Sequence, residues 1–166
     1  MRDEIVEVMV KCKTNIALAI LRIICFVLCA LAILASMTIG GGILMYVVAI
    51  VLGGAGYFAG SYSQVEYEYA YCEKEIDIDA IYSQSKRKHI MTLSLDKMEA
   101  IVRVNGDKMG EYKNRQCVSR DFTSHDKQNA DNVYAIFYDG GLKILIEPGE
   151  KLLDVISYFS PRKIFK

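Results

Sequence analysis

Between Ile23 and Val65 the sequence contains no Asp, Glu, Lys or Arg. A helix rises about 1.5 Å per residue and a bilayer's hydrocarbon core is about 30 Å thick, so this run has the length of two crossings. The same stretch has no His, which leaves Cys25 and Cys29 on one helix face without partners for a metal. No charge falls at the middle of either apolar segment, which excludes a proton relay or ion path of the usual kind. The five cysteines, Cys12, Cys25, Cys29, Cys72 and Cys117, are odd in number and lack the spacing of a secreted disulfide framework. They fit a reducing compartment.

Other absences narrow the chemistry. Formal net charge is zero and no basic stripe with interleaved aromatics occurs, so nucleic acid is not an expected partner. There are two histidines, His89 and His125. Cys117 precedes His125 by eight residues, with no third group at a recognisable spacing for nucleophilic catalysis. Asp77 and Asp79 share a strand face about 7 Å apart, a spacing open to a metal or an acid/base pair, with a solvated strand face the favoured reading. The glycines Gly40-Gly41-Gly42 are not followed by the Lys-Ser/Thr of a phosphate loop. No catalytic, cofactor-binding or metal-binding residue is assigned, and an enzyme is not expected.

What is present begins with residues 1–15, where Ile5, Val6, Met9 and Val10 form one helical face. This reads as an amphipathic lead-in at the cytosolic surface of a membrane. Residues 16–62 read as a two-helix transmembrane hairpin, with spans at about 16–37 and 43–62 joined by the glycine-rich turn Ser36–Gly42. The first apolar stretch is longer than a signal peptide's core and a second follows at once, so an uncleaved anchor is expected. The turn has no Lys or Arg, whereas Lys11, Lys13 and Arg22 flank the first span. The positive-inside rule therefore places both termini in the cytoplasm. Ala49, Gly53, Gly56 and Gly60 make a small-residue stripe on the second span, suited to close helix packing within the hairpin or between copies.

Residues 63–166 read as a cytosolic, mainly-β domain. "VEYEYAYC", "KEIDIDAI", "HIMTLSL" and "MEAIVRV" alternate with period two. "VYAIFYDGGLKILIEP" is a hairpin about Asp139-Gly140-Gly141, and "EKLLDVISYF" is an amphipathic helix, the terminal helix covering about 149–159. A small barrel or strongly bent sheet plugged by that helix satisfies the pattern. From Lys86 to Arg120 nine Lys or Arg stand against four Asp or Glu. The densest cluster is the knot Lys86-Arg87-Lys88, next to His89.

The strand order, with "SKRKHIMTLSLDKMEAIV" and its Leu95-Asp96-Lys97-Met98 step leading into the next strand, resembles bacterial pleckstrin-homology-like domains found behind membrane helices. That resemblance covers Val65 to Phe159. Over its full length the chain is similar to a family of short two-span proteins of Firmicutes with a domain of unknown function. The resemblance implies a PH-like fold and supplies no catalytic residues. The basic residues also do not match a phosphoinositide-type loop.

The expected function is binding or scaffolding by a membrane-anchored module. Lys86, Arg87 and Lys88 would face anionic lipid headgroups, where each cation near the surface contributes about 1 kcal/mol. Besides the bilayer, the expected partners are an unidentified protein or a second copy of the chain. The alternative is an accessory subunit of a larger membrane complex, docked through the glycine-rich second span.

Overall fold

A computed structural model describes residues 5–38 and 42–165. The chain forms two compact units. One is helical and comprises Thr14–Val65 with Tyr82–Lys86; the other is the β-domain, built from residues up to Lys13, Glu66–Ile81 and Arg87 onward.

The β-domain starts earlier than the sequence suggests. Val6–Lys11 is a strand, β1, not a helical lead-in. Its partner β2 (Val65–Cys72) runs antiparallel to it, from Val6 opposite Tyr71 to Lys11 opposite Glu66. The physical reason is a period-two set of β-branched residues: Val6, Val8 and Val10 pack on the core, while Glu7, Met9 and Lys11 alternate with them. The boundary at residue 63 is corrected accordingly, because the domain's first strand precedes both apolar helices.

Those helices are α1 (Ile16–Thr38) and α2 (Gly42–Ser63). The Gly40-Gly41 part of the expected turn lies outside the described residues. Both helices are long and apolar enough to cross a bilayer. The Asn15 side chain accepts from the Ala17 N–H at the start of α1, a capping bond that satisfies one of the helix's free amides.

After α2 come β2, β3 (Glu75–Tyr82) and β4 (Lys86–Ser94), which extend the first sheet in the order β1-β2-β3-β4. The turns Glu73-Lys74 and Ser83-Gln84 place both central residues at positive φ. That is the geometry whose twist suits two-residue hairpins, although it normally selects Asn-Gly. The next strand, β5 (Met98–Arg103), leaves this sheet.

A short helix α3 (Met109–Tyr112), β6 (Val118–Asp121), a 3-10 turn (Lys127–Asn132), β7 (Tyr134–Tyr138), β8 (Leu142–Ile146), α4 (Gly149–Phe159) and β9 (Ile164–Phe165) complete the chain. The second sheet has the order β6-β8-β7-β5-β9, with β6 on β8 and β9 on β5 parallel. The β-strands thus form two sheets and not a closed barrel. The chain turns tightly at Asp96-Lys97, where the Lys97 N–H bonds to the Ser94 carbonyl at 3.2 Å, and β5 pairs with β7 instead of β4.

The main core takes Tyr69, Ile76, Ile78 and Leu93 from the first sheet and Ile101, Ile136, Ile144 and Ile146 from the second. The α4 residues Leu152, Leu153 and Ile156 join it. Each such side chain, fully buried, contributes about 1.5–3 kcal/mol relative to exposure. A smaller cluster of Ala100, Val102, Ala135 and Phe137 has Tyr112 stacked on Phe137 at 4.7 Å.

Candidate functional site

Three groups of residues carry the functional expectations: the small-residue stripe, the basic knot, and the scattered Cys, His and Asp residues.

The stripe on α2 faces α1 of the same chain. The Ala49 carbonyl accepts from the Cys29 thiol at 3.2 Å. A Cβ added at Gly53 would stand 3.6 Å from Cys29 Sγ, and one at Gly56 would stand 3.2 Å from Cys25 Cβ. At Gly60 the neighbour is Arg22, whose Cδ, Nε and Cζ would lie 2.9, 3.0 and 3.2 Å from such a Cβ. Small residues recur here because the two helices approach too closely for side chains. All four positions are therefore occupied within the hairpin, which leaves the same face covered for any docking partner.

The knot is the opening of β4, so its residues are already in the strand. Arg87 pairs with Glu68 through Nη2 and with Asp79 through Nε, the latter at 3.3 Å. Glu68 is a buried carboxylate, and such a group is tolerated when a cation and hydrogen bonds compensate its lost hydration. Asp79 also meets His89 Nδ1 at 2.8 Å, and the Thr92 hydroxyl donates to Asp77. Asp77 and Asp79 are thus engaged by separate partners on β4. Arg87 spends its charge inside the domain, whereas Lys86 and Lys88 are exposed and join no ion pair among the described residues.

The remaining residues are not brought together. Cys117 packs on the smaller cluster, and His125 lies 3.6 Å from Asp121. Among the described residues no group of three or more His, Cys, Asp or Glu is placed to hold a metal ion.

One polar site escaped the sequence reading. The buried Glu147 carboxylate accepts from the Ser124 N–H at 2.8 Å and its hydroxyl at 2.7 Å. The Tyr69 hydroxyl donates to the Phe122 carbonyl at 2.6 Å, and the Cys12 thiol to the Thr123 carbonyl at 3.5 Å. Burial, then the negative charges of Glu147, Asp121 and Glu66, push the Cys12 thiol up to about 11. Burial also raises the Tyr69 phenol well above its ordinary range. A thiol held protonated in this way is a structural donor and a poor nucleophile. The only local signal was the alternation that turns Tyr69 inward; its partners lie far along the chain.

The helical unit includes the β3–β4 turn. There the Ser83 N–H bonds to the Gln64 carbonyl at 3.0 Å and the Ser83 hydroxyl to the Ser61 carbonyl at 3.1 Å. The Tyr62 and Tyr82 rings meet edge to face at 5.4 Å.

Comparison with known proteins gives one family. A family model described as "Bacterial PH-like domain (DUF6106)" matches residues 2–166. No curated protein and no solved structure matches the chain.

Proposed function

Since the chain belongs to the family of bacterial PH-like domains (DUF6106), we propose that it is a membrane-anchored binding module, its β-domain held at the inner surface of the bacterial membrane by a two-helix hairpin. The observation that carries this reading is the exposure of α1 and α2. Only 6% and 17% of their most apolar windows are buried, whereas a core helix of a water-soluble protein would be mostly covered. A bilayer supplies the missing apolar surroundings.

The hairpin also enters the domain between two paired strands, β1 and β2. On this reading the segments flanking the hairpin, β1 and β2, belong to one cytoplasmic domain. Lys86 and Lys88 provide unpaired positive charge for the anionic leaflet. Binding is favoured over catalysis because Cys12 is held as a thiol and Cys117 and His125 are not paired. An unidentified protein or a second copy of the chain is the remaining partner.

The test uses the full-length protein. Alkaline carbonate should leave it in the membrane fraction, and its release would end the hairpin reading. In nanodiscs containing anionic lipid, amides of β4 should exchange more slowly than in zwitterionic discs. That difference should vanish in high salt and in a Lys86→Ala/Lys88→Ala variant. Equal exchange in both lipids would remove the lipid-facing role from the knot.

A further inference from the structure

The helical unit contains a cleft of about 280 Å³, and every residue lining it belongs to that unit. It is lined by Arg22 of α1, by the last turns of α2, and by the β3–β4 turn with Lys86 at the start of β4. Two cations line it, Arg22 from α1 and Lys86 from the start of β4. Neither takes part in an ion pair among the described residues. Two positive charges facing one small cleft repel each other and attract an anion.

Arg22 is held in place by a specific device. Its side chain lies across Gly60, where even one added carbon would stand 2.9 Å from its Cδ. Its guanidinium carbon also lies 5.8 Å from the centre of the Phe26 ring. A charged side chain inside an apolar helix costs energy unless its head finds polar company. Arg22 lies six residues into α1, a rise of about 9 Å, and Gly60 three residues from the end of α2, about 5 Å. On the proposed hairpin topology this is the depth of lipid headgroups.

The rest of the lining suits a phosphodiester. The Ser85 hydroxyl has no hydrogen-bond partner among the described residues and is free to donate. Tyr57 and Phe58 also border the cleft and are 68% and 60% exposed. Their rings offer apolar surface against which acyl chains would continue along α2.

We propose that this cleft is a binding site for the phosphate of an anionic phospholipid, with Arg22 and Lys86 as its charged ligands. The proposal rests on the membrane-anchored reading and gives it a specific lipid site, which takes Lys86 from the knot and leaves Lys88 to diffuse attraction.

The experiment uses the full-length protein purified in a neutral detergent. Bound phospholipid is measured by native mass spectrometry, and thermal unfolding is followed with added phosphatidylglycerol, phosphatidylcholine or inorganic phosphate. One phosphatidylglycerol per chain should bind and raise the unfolding temperature, with weaker effects from the other two. Arg22→Gln and Lys86→Gln should each weaken phosphatidylglycerol binding about tenfold, the loss expected for one charge-assisted hydrogen bond. Lys88→Gln, outside the cleft, should not. Lys86 is exposed at the start of β4, so its variant remains informative if Arg22→Gln does not fold. Stabilisation by inorganic phosphate with nothing added by phosphatidylglycerol would overturn the lipid assignment. Equal losses in Lys86→Gln and Lys88→Gln would overturn the cleft. A protein that resists carbonate extraction but binds lipid independently of Arg22 and Lys86 would defeat this proposal alone; one that is extracted would defeat the hairpin reading beneath it.

Discussion

Val10 pairs with Tyr67 across an antiparallel ladder, although both apolar helices lie between them in the chain. The β-domain is therefore interrupted by the two apolar helices and not preceded by them. A fragment that starts at residue 63 lacks β1 and bares the edge of β2.

This arrangement sets the first prediction. Joining Lys11 to Glu66 through Asn-Gly, with the helices removed, should give a water-soluble domain that unfolds cooperatively when heated. Residues 63–166 alone should aggregate or melt without a transition, because an uncovered edge and core invite association. In the joined domain, Val10→Ala should cost about 2 kcal/mol by chemical denaturation. Equal behaviour of the two fragments would show that β1 is dispensable.

Within the hairpin, neighbouring glycines should respond differently to enlargement. A Cβ at Gly54 meets nothing within 4 Å, whereas one at Gly56 presses on Cys25 Cβ at 3.2 Å. Gly54→Ala should be neutral or stabilising by up to about 1 kcal/mol, since alanine favours helix. Gly56→Leu should lower the unfolding temperature in detergent by separating α1 from α2. Similar shifts for the two would contradict the packing seam.

Arg87 is expected to matter more to the fold than its neighbours in the knot. Removing it strands the Glu68 carboxylate, whose side chain is 7% exposed. The full cost of a broken buried pair is about 3–5 kcal/mol, but the Arg87 side chain is 56% exposed and solvent screens the interaction. Arg87→Ala should therefore cost about 1–2 kcal/mol, and Glu68→Gln beside it should recover part of the loss. Lys88→Ala should change stability little. The three variants are compared by denaturant unfolding of the joined domain.

Cys12 gives a pH prediction. Its thiol is raised from 9.0 to about 11 in the fold, so the native state keeps a proton that the unfolded chain has begun to lose. The stability it contributes is present below pH 9 and is lost as pH climbs toward 11. In a variant retaining only this cysteine, alkylation by iodoacetamide should be slow at neutral pH and accelerate with a midpoint near pH 11. In urea the midpoint should return toward 9. The exposed Cys72, retained alone in a second variant, should react faster at neutral pH. A native midpoint near 9 would show that the thiol is not enclosed.

Several elements were legible in the chain itself. The two apolar helices follow from composition alone, since a run of that length without charge has few other solutions. β2, β3, β5 and the β7–β8 hairpin follow from alternation and from Asp139-Gly140, and α4 from its apolar stripe. Val6–Lys11 was misread because Ile5, Val6, Met9 and Val10 also fit a helical face, and a short segment satisfies both periods. β9 is too short to announce itself, with only Ile164 and Phe165.

The sequence by itself determined where apolar surface is concentrated and which segments are extended, because periodicity and turn chemistry are local. The tertiary structure decided which strands share a sheet, that Arg87 is spent on Glu68 and Asp79, and that Arg22 lies across Gly60. Those outcomes depend on partners far apart along the chain. Burial and hydrogen-bond satisfaction select among pairings that the local pattern leaves equivalent.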